Sequence, residues 1–159
     1  MKGHWSLARP ETSLAWFAVP DPPASAITVF ANLDALQAAA GRHLGYSDWL
    51  EITRGRIDDF GRATGGGEDA VSFLVLSLSN YFLPQIVEVR GISMGINYGT
   101  NEIRFPVPVQ AGSRVRAGAE LVAAEPVTGG IQAHIRITID IEGEDRPACV
   151  IESLSRYLA

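Results

Sequence analysis

Cysteine occurs once in the 159 residues, as Cys149, so the chain can close no internal disulfide and cannot supply a thiolate cage for zinc. Histidine is nearly as scarce, with only His4, His43 and His134. Positive charge is also short: 13 Lys+Arg stand against 18 Asp+Glu, for a formal net charge of -5. A phosphate-backbone partner demands clustered cations, so nucleic acid is excluded as a partner. No stretch approaches the roughly 18 uninterrupted apolar residues of a membrane-spanning helix. What is present is a 47% hydrophobic and 19% charged composition, too apolar for a disordered chain. The length suits one domain with one core. These features predict a soluble, cytoplasmic protein with no metal and no other cofactor.

Residues 1–26 read as an arm preceding a single domain over 27–159. Pro10, Pro20, Pro22 and Pro23 interrupt regular structure, because each lacks a backbone donor and restricts its predecessor. Between them lies the apolar run Leu14–Val19, preceded by Lys2 and Arg9 and followed by Ala24-Ser25-Ala26. That arrangement faintly resembles a secretion signal, but the run is shorter than the usual 7 to 15 residues or so. The favoured expectation is an ordered arm whose Trp16 and Phe17 pack on the domain or on a second subunit.

Within the domain, a short helix is predicted over 32–40, capped by Asn32 and ended by Gly41. A second spans 53–63, with Thr53 as cap and Ile57, Phe60 and Ala63 on one face. Gly65-Gly66-Gly67 stops it. From Asp69 to Ile86 the chain is apolar almost all round, and its length before Pro84 favours one helix enclosed by other structure. The period then changes. Ile131, Ala133, Ile135, Ile137, Ile139 and Ile141 alternate with polar residues, as do Val115, Ala117, Ala119, Leu121 and Ala123. Further strands are expected over 87–97, 102–109 and 148–158, with turns at Gly99, Ala111-Gly112, Thr128-Gly-Gly130 and Gly143-Glu-Asp145. The predicted class is α+β, a long antiparallel sheet wrapped around a central buried helix.

From about Val29 onward the sequence resembles the MaoC-like dehydratases, in the branch containing nodulation protein N. The resemblance rests on Gly45-Tyr-Ser-Asp-Trp49, Ile52-Thr53, Ala63-Thr64-Gly65, Ile96-Asn-Tyr-Gly99, Arg104-Phe-Pro-Val-Pro-Val109, Gly112-Ser-Arg-Val-Arg116, Pro147-Ala-Cys149 and Arg156-Tyr157, in that order. It implies a hot-dog fold, dimers, and substrates carried as thioesters of coenzyme A or a carrier protein. It also implies (R)-specific hydration of a trans-2-enoyl thioester, or the reverse dehydration. Such chemistry needs a positioned acid/base pair, since water loses a proton as C2 gains one, and donors that polarise the thioester carbonyl.

In the family that pair is an Asp directly after Thr-Gly and a His five residues later. Here Gly66 follows Thr64-Gly65, and Val71 stands five residues on. The family's Ala-His-Gly-Phe-Leu, which opens the central helix, corresponds to Ala70-Val71-Ser72-Phe73-Leu74. By this correspondence a stretch of well over ten residues, carrying the dyad, is absent.

The acids nearest the gap are Glu68 and Asp69. Either can replace the lost base at the mouth of the site; equally, Asp69 can cap the central helix. Asn97 and Tyr98, near the acyl pocket in the family, can hydrogen-bond a substrate carbonyl, or Asn97 can stabilise a turn before Gly99. Arg104 can grip a phosphate or carboxylate of the substrate, or hold an inter-strand carboxylate. Ser72, Ser77, Ser79 and Asn80 place polar groups in the apolar helix, and Ser72 stands beside the mouth; hydroxyls there can also bond back to helix carbonyls. His134 falls on a polar strand face, His43 has no evident partner, and Cys149 reads as a structural thiol.

Two functions fit. The first is a repurposed, cofactor-independent enzyme of lyase or isomerase type, with Asp69 and Tyr98 as catalytic residues and Asn97, Arg104, Glu68 and Ser72 binding substrate. It would cyclise, isomerise or dehydrate a bulky acyl or polyketide-like intermediate, as a homodimer or higher oligomer. The second is a non-catalytic binding module, or the silent subunit of a hetero-oligomeric hydratase.

Overall fold

In the computed structural model, residues 26–67 and 70–159 are described, so the expectations for the arm, Trp16 and Phe17 included, lie outside the described residues. The chain forms β1 (Thr28–Phe30), α1 (Leu33–Gln37), β2 (Arg42–Tyr46), β3 (Leu50–Glu51), α2 (Arg54–Thr64), α3 (Ala70–Ser77) and α4 (Ser79–Ile86). These are followed by β4 (Val87–Val89), β5 (Met94–Arg104), β6 (Arg114–Val127), β7 (Gly130–Ile141) and β8 (Cys149–Leu158). The main sheet has the order β2-β6-β7-β8-β5, all antiparallel, with β3 also pairing β6. β1 and β4 form a separate parallel pair.

The helix starts follow from local chemistry. The Asn32 side chain accepts from the Ala35 N–H, and the Thr53 hydroxyl from the Arg56 N–H, each satisfying an orphan donor of a first turn. α2 ends at Gly65, whose φ of 85° is left-handed and suits glycine. The apolar segment is two helices meeting at Leu78, not one. Ser77 donates to the Leu74 carbonyl at 2.7 Å, the back-bonding that loosens a helix at a serine.

The core is the seam between these helices and the inner face of the sheet. On β7, Ile131, Ala133, Ile135, Ile137, Ile139 and Ile141 are all buried, as the alternation predicts. Phe82 and Ile86 of α4 are buried in the same cluster, with Leu74 and Val75 of α3. Enclosure is one-sided. Phe73 and Tyr81 remain 52% and 55% exposed, because the sheet covers a single face of the helix pair.

One expected turn is not a turn. Gly91, with φ 69°, turns the chain after β4, and β5 then runs unbroken through Gly99. The register against β8 shifts between Asn97 and Gly99 and again between Thr100 and Glu102, so the glycine is absorbed as a bulge. The predicted strand over 102–109 accordingly stops at Arg104.

At the opposite edge, two of the recognisable motifs meet. A bulge between His43 and Gly45 places Gly45 at φ 130° and lets its N–H donate to His43 Nδ1. Ser47 is buried and ties the strand to β6, its hydroxyl accepting from the Ala117 N–H at 2.9 Å. The Arg116 guanidinium lies over the rings of Tyr46 and Trp49 at 4.5 and 4.6 Å. Tyr46 can lie so close only because residue 118 has no side chain: a Cβ there would sit 2.8 Å from Tyr46 Cε1.

Two measurements test this edge. Gly118→Ala is expected to cost about 1–3 kcal/mol in urea unfolding by overpacking, with much of the loss recovered when Tyr46 is shortened to Leu; an unchanged midpoint would contradict the contact. His43 is held below its ordinary pKa of 6.5, mainly by burial, with Glu120 opposing. Between the two values the unfolded chain binds more protons, so stability should fall as pH drops through about 6.5. Thermal unfolding followed from about pH 7.5 to pH 5 should show that decline, and His43→Gln should flatten it.

Candidate functional site

A groove of about 320 Å³ opens between α4 and the β5 edge of the sheet. Ile137, Ser153 and Ser155 form its buried floor, Leu83 and Val87 one wall, and Asn80 and Asn97 stand at its exposed rim. It exists because β8 changes character along its inner face. Cys149 and Ile151 are apolar, but the next inward positions are Ser153, Ser155 and Tyr157. Small side chains there leave volume that isoleucines occupy on β7. Opposite them, Pro84 supplies no N–H to the Asn80 carbonyl one turn earlier, which leaves that carbonyl without its α-helical donor.

The lining holds no acid, no base and no cation among the described residues; Tyr157 is its one titratable group. Burial pushes the Tyr157 phenol above its ordinary value, and the Ser155 hydroxyl, hydrogen-bonded to it, opposes the shift. At neutral pH the phenol therefore keeps its proton and can donate it in a hydrogen bond.

Of the residues singled out in the sequence, Asn97 lines this groove. Its neighbour Tyr98 is 54% exposed, and its ring is covered by the Arg156 guanidinium at 3.5 Å. Arg156 donates in turn to Gln132 at 2.9 Å, a residue of the polar outer face, so Tyr98 belongs to that face. Arg104 lies seven residues beyond Asn97, about 23 Å at strand spacing, and pairs with Glu102 of its own strand at 3.0 Å. Ser72 is half-buried on α3, away from the lining. Glu68 and Asp69 lie outside the described residues. Gly66 has φ 74° in the loop after α2, and Val71 is half-buried on α3.

Ser153 and Ser155 are not singled out by the sequence, and Tyr157 enters it only within the Arg156-Tyr157 motif, not as a site residue. The trace they leave is an alternating strand whose inward positions turn from apolar to hydroxyl-bearing halfway along. His134 lies on the outer face, 3.5 Å from Glu125. The Cys149 thiol is pushed up to about 11 by burial, too high to act as a nucleophile. Among the described residues no three His, Cys, Asp or Glu gather as metal ligands, and no helix is long and apolar enough to cross a membrane. A second crevice, beside His43, Tyr46 and Asp140, has only about 10 Å³, space for about one water.

No protein-family model matches the chain. Individual proteins do. The chain is 39% identical to 3-hydroxyacyl-thioester dehydratase Z of Mycobacterium tuberculosis over 148 residues, covering 82% of the chain and 98% of that protein. It is 34% identical to nodulation protein N of Rhizobium leguminosarum bv. viciae over 139 residues, 74% of the chain and 85% of that protein. Among solved structures, the MaoC-like dehydratase from Rhodospirillum rubrum superposes with a TM-score of 0.59 at 13% identity, covering 76% of the chain and 92% of that structure. The C-terminally truncated HadBC (3R-hydroxyacyl-ACP dehydratase) complex from Mycobacterium tuberculosis gives a TM-score of 0.56 at 19% identity, over 75% of the chain and 96% of that structure. With the sheet on its helix pair and the ordered motifs from Gly45 to Tyr157, these relatives place the chain in the MaoC-like family of hot-dog dehydratases.

Proposed function

We propose that this protein is a hot-dog dehydratase homologue that has lost the paired acid and base of hydration and retains the acyl pocket. In this reading it acts in the cytoplasm on a bulky acyl or polyketide-like intermediate, by cyclisation, isomerisation or dehydration. The observation that carries the proposal is the groove. The space between α4 and the strand bearing Asn97 is open, where side chains closing it would leave no place for a substrate. The loss of the dyad is supported by the proportions of the match. The aligned part of the chain, 82% of 159, is about 130 residues against 148 aligned positions, so dehydratase Z carries roughly 18 residues with no counterpart here. Without a base of suitable pKa in the lining, orientation in the groove would promote the reaction, with Asp69 or Glu68 as the acid that the sequence offers in place of the lost base. Asn97 would bind the substrate at the rim. Tyr98, Arg104 and Ser72 would reach a ligand only from beyond the groove.

The same reading includes a second copy of the chain. β5 is an edge strand 11 residues long, and nearly all of it is exposed on both faces, with Met94, Ile96 and Ile103 among its exposed apolar side chains. An uncovered edge of that length is a template for pairing with another strand. A different member of the family could occupy it instead. The chain would then be the silent half of a hetero-oligomer; the HadBC dehydratase is likewise a complex.

Hydration of a crotonyl thioester should show no turnover above background, and a measurable rate would sink the proposed loss of the dyad. With an oxygenated, bulky acyl thioester that is turned over, Asp69→Asn should abolish the rate while the protein stays folded. A silent subunit would tolerate Asp69→Asn and Tyr98→Phe and co-purify with an active homologue. Light scattering should report twice the chain mass, falling to the monomer with Ile96→Lys; a monomeric wild type would remove the edge from the argument.

A further inference from the structure

We infer that the groove selects acyl chains bearing a neutral oxygen, a ketone or hydroxyl, through a line of hydroxyl groups on β8: Ser153, Ser155 and Tyr157. The inference rests on the groove being the substrate site, and it names the class of substrate. Three features support it. The floor carries two hydroxyls on residues that are each only 8% exposed, in a core that is otherwise almost wholly apolar. With Ser155 bonded to the Tyr157 phenol, a plain hydrocarbon lying there would strip water from the Ser153 hydroxyl and the phenol O–H and give nothing back, whereas a carbonyl or hydroxyl oxygen would restore their hydrogen bonds. The lining also holds no charged side chain, so a carboxylate or phosphate would enter without a counter-ion and is disfavoured.

Tyr157 is the donor best placed for this role. Its ring lies against the Gly95 backbone of β5, where a Cβ would be 3.7 Å from Cδ1, so the ring is seated between the two strands. Ser155 hydrogen-bonds the phenol, which is protonated at neutral pH, and burial raises its pKa further. The volume is about 320 Å³, room for an acyl segment rather than a single water. A segment of that size carrying one oxygen fits, and the remainder of a larger substrate would extend through the open rim.

The test compares nine-carbon probes, two neutral and one anionic, by titration against the folded, full-length protein. 2-Nonanone should bind about tenfold tighter than 1-nonene, and tighter than nonanoate by at least that factor. Tyr157→Phe, which keeps the ring, should remove the ketone's advantage and leave 1-nonene binding unchanged; Ser155→Ala should reduce it in part. The carbonyl stretch of bound 2-nonanone should move to lower frequency in the wild type and return in Tyr157→Phe. Equal binding of ketone and alkene, equal loss of both in Tyr157→Phe, tight nonanoate binding, or no binding of 2-nonanone would each overturn the inference. If the ketone preference holds while no substrate is ever turned over, the catalytic reading fails and the site stands.

Discussion

Burial of one sheet face against a helix pair governs the rest of this structure. Six inward positions of β7, four of them fully excluded from water, can leave water only if something covers them. Phe82 and Ile86 do so from α4, and Leu74 and Val75 from α3. Two helices of eight residues are shorter than the sheet is wide, so cover runs out before the edge. β5 is therefore exposed on both faces, and the groove opens between α4 and this edge, where the floor of β8 turns to serine.

The recognisable motifs divide into two kinds when located in space. Gly45–Trp49 and Gly112–Arg116, distant in sequence, form one device: a bulge, a buried serine and an arginine between two aromatic rings. They pin β2 and β3 onto β6, at the edge of the sheet opposite β5. Asn97 and Tyr98, adjacent in sequence, part company. Strand alternation sends one toward the groove and the other to the outer face under Arg156. A motif that reads as one functional unit is thus split by the pleat.

Much of the fold was legible because its signals are periodic. The isoleucines of β7 repeat every second residue, and period 2 has one structural meaning once one face must be dry. Asn32, Thr53 and Gly65 mark helix ends through hydrogen bonds made within a few residues. Gly99 misled for the opposite reason. A glycine can serve a turn or a bulge, and here pairing with β8 continues on both sides of it, so the ladder absorbs it. Of the site, Asn97 was legible and Tyr157 was not, since an inward hydroxyl in a strand matters only once the space above it is known to be empty.

The sequence by itself determined the class of the fold, the family, the strand faces and the helix caps, because each depends on residues a few positions apart or on motifs in a recognisable order. The tertiary structure alone decided where volume remains. Whether Ser153 and Ser155 are packed over or open to a ligand depends on the length of α4, the proline within it, and the reach of β5 across the sheet. Packing density is a property of side chains brought together from distant elements, and no local pattern encodes it. It also decided that the one titratable group in the groove is a partly buried phenol, bonded by a serine two residues away on the same face of its own strand.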